Sequence, residues 1–223
     1  MNIQLIIRGA MVLFVLGIIL LLIAGRTSYW QAWVFCAICF LLVVGLSIVF
    51  GKDFDSIKER MKSGPGTKWW DKLFWAIYGP MNMAIVIVAA LDAGRFLWSV
   101  TLPWFVYSTG YFIFVFSAIL HLWAIYSNKF YAKTVRIQGE KEQVVIESGP
   151  YRYVRHPGYI GIMLMVTSMA VVLGSLRALI PALIVSVLLF IRTILEDYTL
   201  LQELAGYRDY SQKVRYRLIP GVW

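Results

Sequence analysis

Long apolar runs, separated by short polar segments, dominate this chain of 223 residues. A helix that crosses a hydrocarbon core of about 30 Å needs roughly 17 to 25 apolar residues. Six runs meet or approach this length: Leu5–Ala24, Trp30–Phe50, Leu73–Leu91, Leu102–Tyr126, Tyr159–Leu173 and Ala178–Leu195. The pattern predicts an all-α fold, an integral membrane helical bundle with five to six transmembrane helices.

The fifth run is the shortest and leads directly into a turn. Gly174 and Ser175 separate it from the sixth run, and a Gly-Ser pair of this kind marks a tight turn. The two runs are therefore predicted to form a helical hairpin. Polar residues collect in three segments, at 51–72, 127–158 and 196–223, and the order of the runs places all three on one side of the membrane.

Basic residues are distributed unevenly between the two sides. All but three of the 21 Lys and Arg residues lie on the side of the polar segments, and those three are Arg26, Arg95 and Arg177. The positive-inside rule assigns the basic side to the cytoplasm, so both termini are predicted to be cytoplasmic. Basic loops beside anionic membrane lipids also account for the net charge of +9, and no nucleic-acid partner is predicted.

Composition and the surroundings of the two cysteines argue against two further classes, a soluble domain and a redox or metal protein. With 60% hydrophobic residues, 15% charged residues and a mean hydropathy of +0.72, the chain is far from an average soluble domain. Cys36 and Cys39 have the C-x-x-C spacing of some redox and metal sites. They lie inside an apolar run without a second cysteine pair or a nearby histidine, so they are interpreted as packing residues and no metal site is predicted.

One polar segment, GPYRYVRHPGYIG at residues 149–161, precedes the fifth run. Pro157 suits the first turn of a helix and biases His156 toward an extended backbone. The segment should hold Arg155 and His156 at the mouth of the bundle. Aromatic faces around them would come from Tyr151, Tyr153 and Tyr159. An ordinary interfacial turn, with proline, arginine and tyrosine in their usual places, is the alternative.

The end of the sixth run carries a second polar group. Arg192, Glu196 and Glu203 fall on roughly one helical face, and Arg192 can pair with Glu196 one turn away. A solvated helix end is the alternative interpretation. Because the hairpin brings the start of the fifth helix beside the end of the sixth, His156 and Glu196 should be neighbours, which favours a binding site.

Two further polar residues lie within predicted spans. His121 is about one turn from the end of the fourth run and could reach the site, although a bond to a neighbouring helix is the commoner case. Asn82 follows Gly79-Pro80 and is similarly open between a role in the site and a structural one, and an interhelical hydrogen bond near a kink is sufficient to explain it.

The quoted segment, the hairpin, the Glu196-Asp197 pair and the tail GYRDYSQKVRYRLIPGVW together resemble the isoprenylcysteine carboxyl methyltransferase family and its relatives among the membrane phospholipid methyltransferases. The resemblance covers roughly residues 145–223, and the first four runs show no motif. It implies a membrane enzyme that uses S-adenosylmethionine, bound on the cytoplasmic side. Residues 1–126 would be N-terminal transmembrane helices, and residues 127–223 the cofactor-binding region of the same structural domain.

The resemblance also implies site residues. His156, Pro157, Tyr159 and Gly161 would line the cofactor pocket and Glu196 would approach the cofactor's polar groups. Asp197 stands where the family often has a second glutamate. The full predicted set of cofactor contacts is Tyr151, Arg155, His156, Pro157, Tyr159, Gly161, Glu196 and Glu203. The predicted catalytic residues are His156, Arg192 and Glu196.

The predicted function is therefore methyl transfer from S-adenosylmethionine to a lipophilic acceptor that enters from the bilayer. A carboxylate acceptor would need no base, whereas an amine or a thiol would need His156 or Glu196. Two alternatives remain: a sterol-reductase-like membrane enzyme that uses NADPH, and a non-enzymatic transporter or assembly protein. The sequence predicts neither the acceptor nor the oligomeric state.

Overall fold

The structure of the protein is a computed structural model that describes residues 2–51, 58–59 and 62–223. Within these residues the chain forms seven α-helices: α1 (Ile3–Ala24), α2 (Trp30–Phe50), α3 (Trp69–Ala89), α4 (Trp104–Ser127), α5 (Pro157–Val172), α6 (Leu179–Glu203) and α7 (Tyr207–Lys213). Short 3-10 turns interrupt the connection between α4 and α5 at Gly139–Lys141 and Gly149–Arg152.

The predicted all-helical membrane bundle is confirmed. In the part of the chain that the structure describes, five helical segments are long and apolar enough to cross a membrane, and α5 is a shorter apolar helix of 16 residues. Although α5 is short, it is enclosed by its neighbours, and Val166 and Ala170 are almost fully buried in the main core. Part of the polar segment at residues 51–72 lies outside the described residues.

Helix ends follow local chemistry. The side chain of Asn2 accepts a hydrogen bond from the backbone of Leu5 at 3.1 Å and caps α1. Gly25 ends the same helix in the left-handed region, with φ of 67°. Pro157 is the first residue of α5, as predicted, because a helix leaves its first amide without a partner and proline has no amide to offer.

The third span is longer than the apolar pattern predicts. The helix begins at Trp69 rather than near Leu73, and it continues beyond α3 as a π-helix over Ala90–Phe96. Pro80 lies inside α3 without ending it. The predicted interhelical hydrogen bond of Asn82 is wrong, because its side-chain amide donates to the carbonyl of Tyr78 in the same helix at 2.8 Å.

The predicted hairpin is present, and a buried carboxylate holds its turn. Gly174 has φ of 80°, a conformation that other residues rarely adopt. Asp92, in the π-helix, is fully buried and accepts hydrogen bonds from the hydroxyls of Ser99 and Ser175, each at 2.5 Å. This cluster joins the end of the third span to the α5–α6 turn. The start of α5 and the end of α6 consequently meet at the other end of the bundle.

Candidate functional site

A polar pocket lies where α4 ends, α5 begins and α6 leaves the bundle, and we call this end of the molecule the pocket end. Its free volume is about 820 Å³, including the open mouth. The α4–α5 connection, the N-terminus of α5, the last turns of α6, and α7 all contribute to its walls. The chemistry-bearing residues that line it include Tyr131, Tyr151, His156, Tyr159, Glu196 and Tyr207.

Asp197 holds this region together from a fully buried position. The guanidinium of Arg155 donates to both of its carboxylate oxygens, at 2.8 and 2.9 Å. Arg217 donates at 2.8 Å, the Tyr207 hydroxyl donates at 2.8 Å, and Nε2 of His156 lies 3.3 Å away. Bidentate, charge-assisted bonds of this kind fix geometry strongly. Asp197 therefore joins α6 to the start of α5, to α7 and to the tail.

The tail also pairs with the segment before α5 through the backbone. The amide of Arg155 donates to the carbonyl of Tyr216, and the amide of His156 donates to the carbonyl of Arg217, both at 2.9 Å. Nη1 of Arg155 donates to the carbonyls of Val214 and Arg215 at 2.9 and 3.0 Å. The guanidinium of Arg155 is thus committed to protein partners, and its predicted contact with a cofactor stays a prediction.

Glu196 has a different environment from its neighbour Asp197. It is half-buried, lines the pocket, and accepts a hydrogen bond from the hydroxyl of Tyr159. The Tyr159 ring is nearly parallel to the ring of His156, with a centroid distance of 5.6 Å and an interplanar angle of 8°. The hairpin does bring His156 and Glu196 to one pocket, as predicted.

Arg192 does not form the predicted ion pair with Glu196. Its Nε lies 2.9 Å from a carboxylate oxygen of Asp71, at the start of α3, and its Nη2 donates to the carbonyl of Lys133 at 2.7 Å. The guanidinium carbon lies 4.4 Å from the ring centroid of Phe74, over the ring. The packing of α3 against α6 brings Asp71 within reach, and helical spacing in the sequence cannot reveal such a partner.

Gly161 and Pro157 serve the contact between α4 and α5. A Cβ atom at Gly161 would lie 2.9 Å from the Cβ and backbone nitrogen of His121, so only glycine permits this approach. Nδ1 of His121 lies 3.1 Å from the carbonyl of Gly158, the commoner role weighed for it. Pro157 is buried at the first turn of α5. The pocket walls do not include Pro157 or Gly161, and their cofactor contacts stay predictions.

Two other predicted residues, Glu203 and Tyr153, do not line the pocket. Glu203 pairs with Lys68 at 2.6 Å on the surface, outside the pocket walls, so its contact with a cofactor also stays a prediction. The side chain of Tyr153 is 65% exposed, unlike those of Tyr151 and Tyr159, which are 8% exposed. The ring of Tyr153 therefore does not help to enclose the pocket.

The α4–α5 connection supplies pocket residues that the sequence did not reveal. Gln138 is 1% exposed, and its Nε2 donates to the carbonyl of Phe130 at 2.6 Å, which identifies the other side-chain atom as oxygen. That oxygen, and Nε of Arg136, have no hydrogen-bond partner within the described part of the chain. Buried polar groups normally have partners. Both residues line the pocket and could bind a polar ligand, and no pattern in the sequence distinguishes them.

Tyrosine hydroxyls complete the inner surface. Burial raises the pKa of Tyr131 and of Tyr151, and burial together with the neighbouring Asp197 raises the pKa of Tyr207. These hydroxyls therefore stay protonated near neutral pH and act as donors. The pocket combines one half-buried carboxylate with flat aromatic faces, which suits a ligand with an aromatic ring and a cationic group.

Fold and site together define a multi-pass helical membrane protein with a ligand pocket at one end of its bundle. Residues 110–202 match the model of the isoprenylcysteine carboxyl methyltransferase (ICMT) family, which confirms the resemblance. The match begins inside α4, where the sequence showed no motif, and it ends before the tail. No curated protein matches the chain. The match supports a membrane methyltransferase of the ICMT type.

Proposed function

We propose that the protein transfers a methyl group from S-adenosylmethionine to a lipophilic acceptor at the cytoplasmic face of the membrane. One observation carries the proposal: the pocket lies almost entirely within the segment that matches the ICMT family, and the carboxylate of Glu196 opens into it. The cytoplasmic assignment rests on the basic residues that gather at the pocket end.

The residues present fit this cofactor. Its adenine ring suits the aromatic walls, and the unpartnered oxygen of Gln138 suits an amino or hydroxyl donor of the nucleoside. The unpartnered Nε of Arg136 suits the carboxylate of the methionine arm. The carboxylate of Glu196 suits the amino group or the neighbouring sulfonium charge. Binding the cofactor would give partners to polar atoms that otherwise have none.

When bound, S-adenosylmethionine supplies a methyl group on a cationic sulfur, and the transfer is an in-line displacement. The protein must therefore align the acceptor and exclude water more than provide a nucleophile. An acceptor that carries a proton needs a base within hydrogen-bond reach. Glu196 fits this role better than His156, because Asp197 contacts the His156 ring and fixes it, whereas the carboxylate of Glu196 faces the pocket and has the Tyr159 hydroxyl as its donor.

Access from the bilayer fits a lipophilic acceptor. The outer faces of the spanning helices are apolar, and α6 exposes Phe190, Ile191 and Ile194 just before Glu196, which lines the pocket. A hydrocarbon chain could lie along such a surface while its polar end reaches the carboxylate. Prenylated cysteine, a phospholipid amine, a small thiol and an isoprenoid acid are the acceptor classes to test.

Isothermal titration with S-adenosylhomocysteine, with NADPH in parallel, tests the proposal on detergent-purified protein. Micromolar binding of the homocysteine compound, with no heat from NADPH, is expected for the wild type. Glu196→Ala and His156→Ala should weaken it at least tenfold. Tyr159→Phe should weaken it less, and its matched control Tyr153→Phe should leave it unchanged. A folded wild type that binds only NADPH, or neither compound, would overturn the proposal.

A further inference from the structure

Asp71 connects the N-terminal half of the protein to the candidate site. It lies in the first turn of α3, is fully buried, and is outside the segment that matches the ICMT family. One carboxylate oxygen accepts a hydrogen bond from the backbone amide of Val135 at 2.9 Å. Val135 belongs to the α4–α5 connection and lines the pocket. An aspartate at the start of a membrane helix thus holds a wall of the pocket.

The other oxygen of Asp71 reaches the same wall through Arg192. It lies 2.9 Å from Nε of Arg192, whose Nη2 donates to the carbonyl of Lys133 at 2.7 Å. Asp71 and Arg192 are 0% and 4% exposed, respectively, so the pair is shielded from water and screened little by salt. Lys133 therefore accepts one hydrogen bond from the Arg192–Asp71 ion pair, and Val135 donates one to it.

The ion pair also lies close to Glu196 along α6. Arg192 and Glu196 are four residues apart on α6, the spacing at which an arginine and a glutamate usually pair on a helix. In the structure Arg192 faces Asp71, while Glu196 accepts its hydrogen bond from Tyr159 and lines the pocket. Without the charge of Asp71, the buried cation of Arg192 would need another anion, and Glu196 is one helical turn away.

We propose that Asp71 is a positioning residue of the site. It provides the ion-pair partner of Arg192, so that Glu196 keeps its hydrogen bond from Tyr159, and it holds the Lys133–Val135 segment in the shape that binds the cofactor. The expected effect of Asp71 on cofactor affinity rests on the proposed function, whereas its effect on the Lys133–Val135 segment does not. The site accordingly extends beyond the family segment into α3.

Two substitutions distinguish the contact of Asp71 with Arg192 from its contact with the amide of Val135. Asp71→Asn removes the charge but keeps an oxygen for Val135, and Asp71→Ala removes both. The matched control is Asp92→Asn, which removes the charge of an equally buried aspartate at the opposite end of the bundle. Hydrogen–deuterium exchange of residues 131–138, measured without ligand, should accelerate about tenfold in Asp71→Ala, less in Asp71→Asn, and not in Asp92→Asn.

Affinity for S-adenosylhomocysteine gives the second measurement. Asp71→Asn should weaken binding about tenfold, and Asp92→Asn should not weaken it. Asp71→Asn should add little in an Arg192→Gln background, because the charge of Asp71 acts through Arg192. Additive losses, unchanged affinity, or faster exchange throughout the bundle would overturn the positioning role. If the wild type does not bind this compound, the proposed function fails, and the exchange of residues 131–138 still decides whether Asp71 holds the wall.

Discussion

Fully buried aspartates occur at both ends of the bundle, but the groups that bind their carboxylates differ between the two ends. At the opposite end, Asp92 is held mainly by the hydroxyls of Ser99 and Ser175 and by the backbone amide of Ser99. At the pocket end, Asp197 is bound by Arg155, Arg217, Tyr207 and His156, and Asp71 pairs with Arg192. Neutral hydroxyls close a turn at one end, where the half-exposed guanidinium of Arg177 lies 4.0 Å from Asp92, at the limit of an ion pair. Shorter ion pairs, at 2.8 to 3.3 Å, organise a pocket at the other end.

This difference separates a structural carboxylate from carboxylates that organise a site. Ion pairs cost desolvation energy, and apolar residues of similar volume can often replace them without loss of stability. Hydroxyl donors on short side chains are sufficient where a turn only has to be closed. Several charges with fixed directions are required where Glu196 must face the pocket. The pocket end should therefore lose binding when its buried charges change, and the opposite end should lose only stability.

The largest effect is expected for Asp197→Ala. The substitution leaves two guanidinium groups near a buried site without their carboxylate, and breaking a buried pair costs about 3–5 kcal/mol. The free energy of unfolding in detergent should fall by a similar amount, and S-adenosylhomocysteine binding should be lost as the tail detaches. Asp197→Glu should restore part of the stability. Binding that survives in Asp197→Ala would contradict the assigned role of this carboxylate.

Glu196→Gln should separate function from stability at the pocket end. Glutamine can still accept the hydrogen bond of Tyr159, so unfolding should change by less than about 1 kcal/mol. Methyl transfer to an acceptor that must lose a proton should fall by about 10² to 10⁴, the usual contribution of a general base. The rate of transfer to a carboxylate acceptor, which needs no base, should fall less. The measurement is turnover with each acceptor class, and an equal loss for all classes would argue against Glu196 as the base.

Asp92→Asn is the corresponding change at the opposite end. It removes charge-assisted bonds from Ser99 and Ser175, and each bond of this type contributes about 1.5–3 kcal/mol. The protein should unfold more easily by roughly 2 kcal/mol, while the affinity for S-adenosylhomocysteine stays at the wild-type value. An affinity that falls with stability would show that the two ends are coupled.

Gly161→Ala tests the packing that places the pocket. The added methyl group would lie 2.9 Å from the Cβ atom of His121 and 3.0 Å from the carbonyl oxygen of Ser117. Overpacking of this kind costs about 1–3 kcal/mol. Because α4 and α5 would separate beside the pocket, a modest loss of ligand affinity should accompany the loss of stability. Gly79→Ala, where a Cβ atom meets nothing within 4 Å, is the matched control.

Glu203→Gln should have the smallest effect. Its pair with Lys68 joins two partly exposed side chains, with 43% and 29% of their surfaces accessible, and exposed pairs contribute about 0–1 kcal/mol. Stability and S-adenosylhomocysteine affinity should remain close to wild type. A loss of affinity without a loss of stability would support the predicted contact of Glu203 with the cofactor.

Much of the fold could be predicted from the apolar pattern, because a membrane-spanning helix must be long and apolar whatever surrounds it. The hairpin was predicted from Gly174-Ser175, and the shared pocket of His156 and Glu196 followed from it. The π-helix after α3 could not be predicted in this way. Its residues continue an ordinary helical pattern, and the close approach of Gly94 to Ala24 is a tertiary contact.

The sequence by itself determined the helical membrane fold, the hairpin and the collection of polar residues at one end. Only the tertiary structure decided which charges meet there. Arg192 looked like the partner of Glu196, because sequence spacing reports contacts within one helix. The packing of α3 against α6 instead places Asp71 beside Arg192, and the folding of the tail places Arg217 beside Asp197. Ion pairs form between groups that lie within a few ångströms of each other in the folded chain. That distance cannot be read from the separation of the two residues along the sequence.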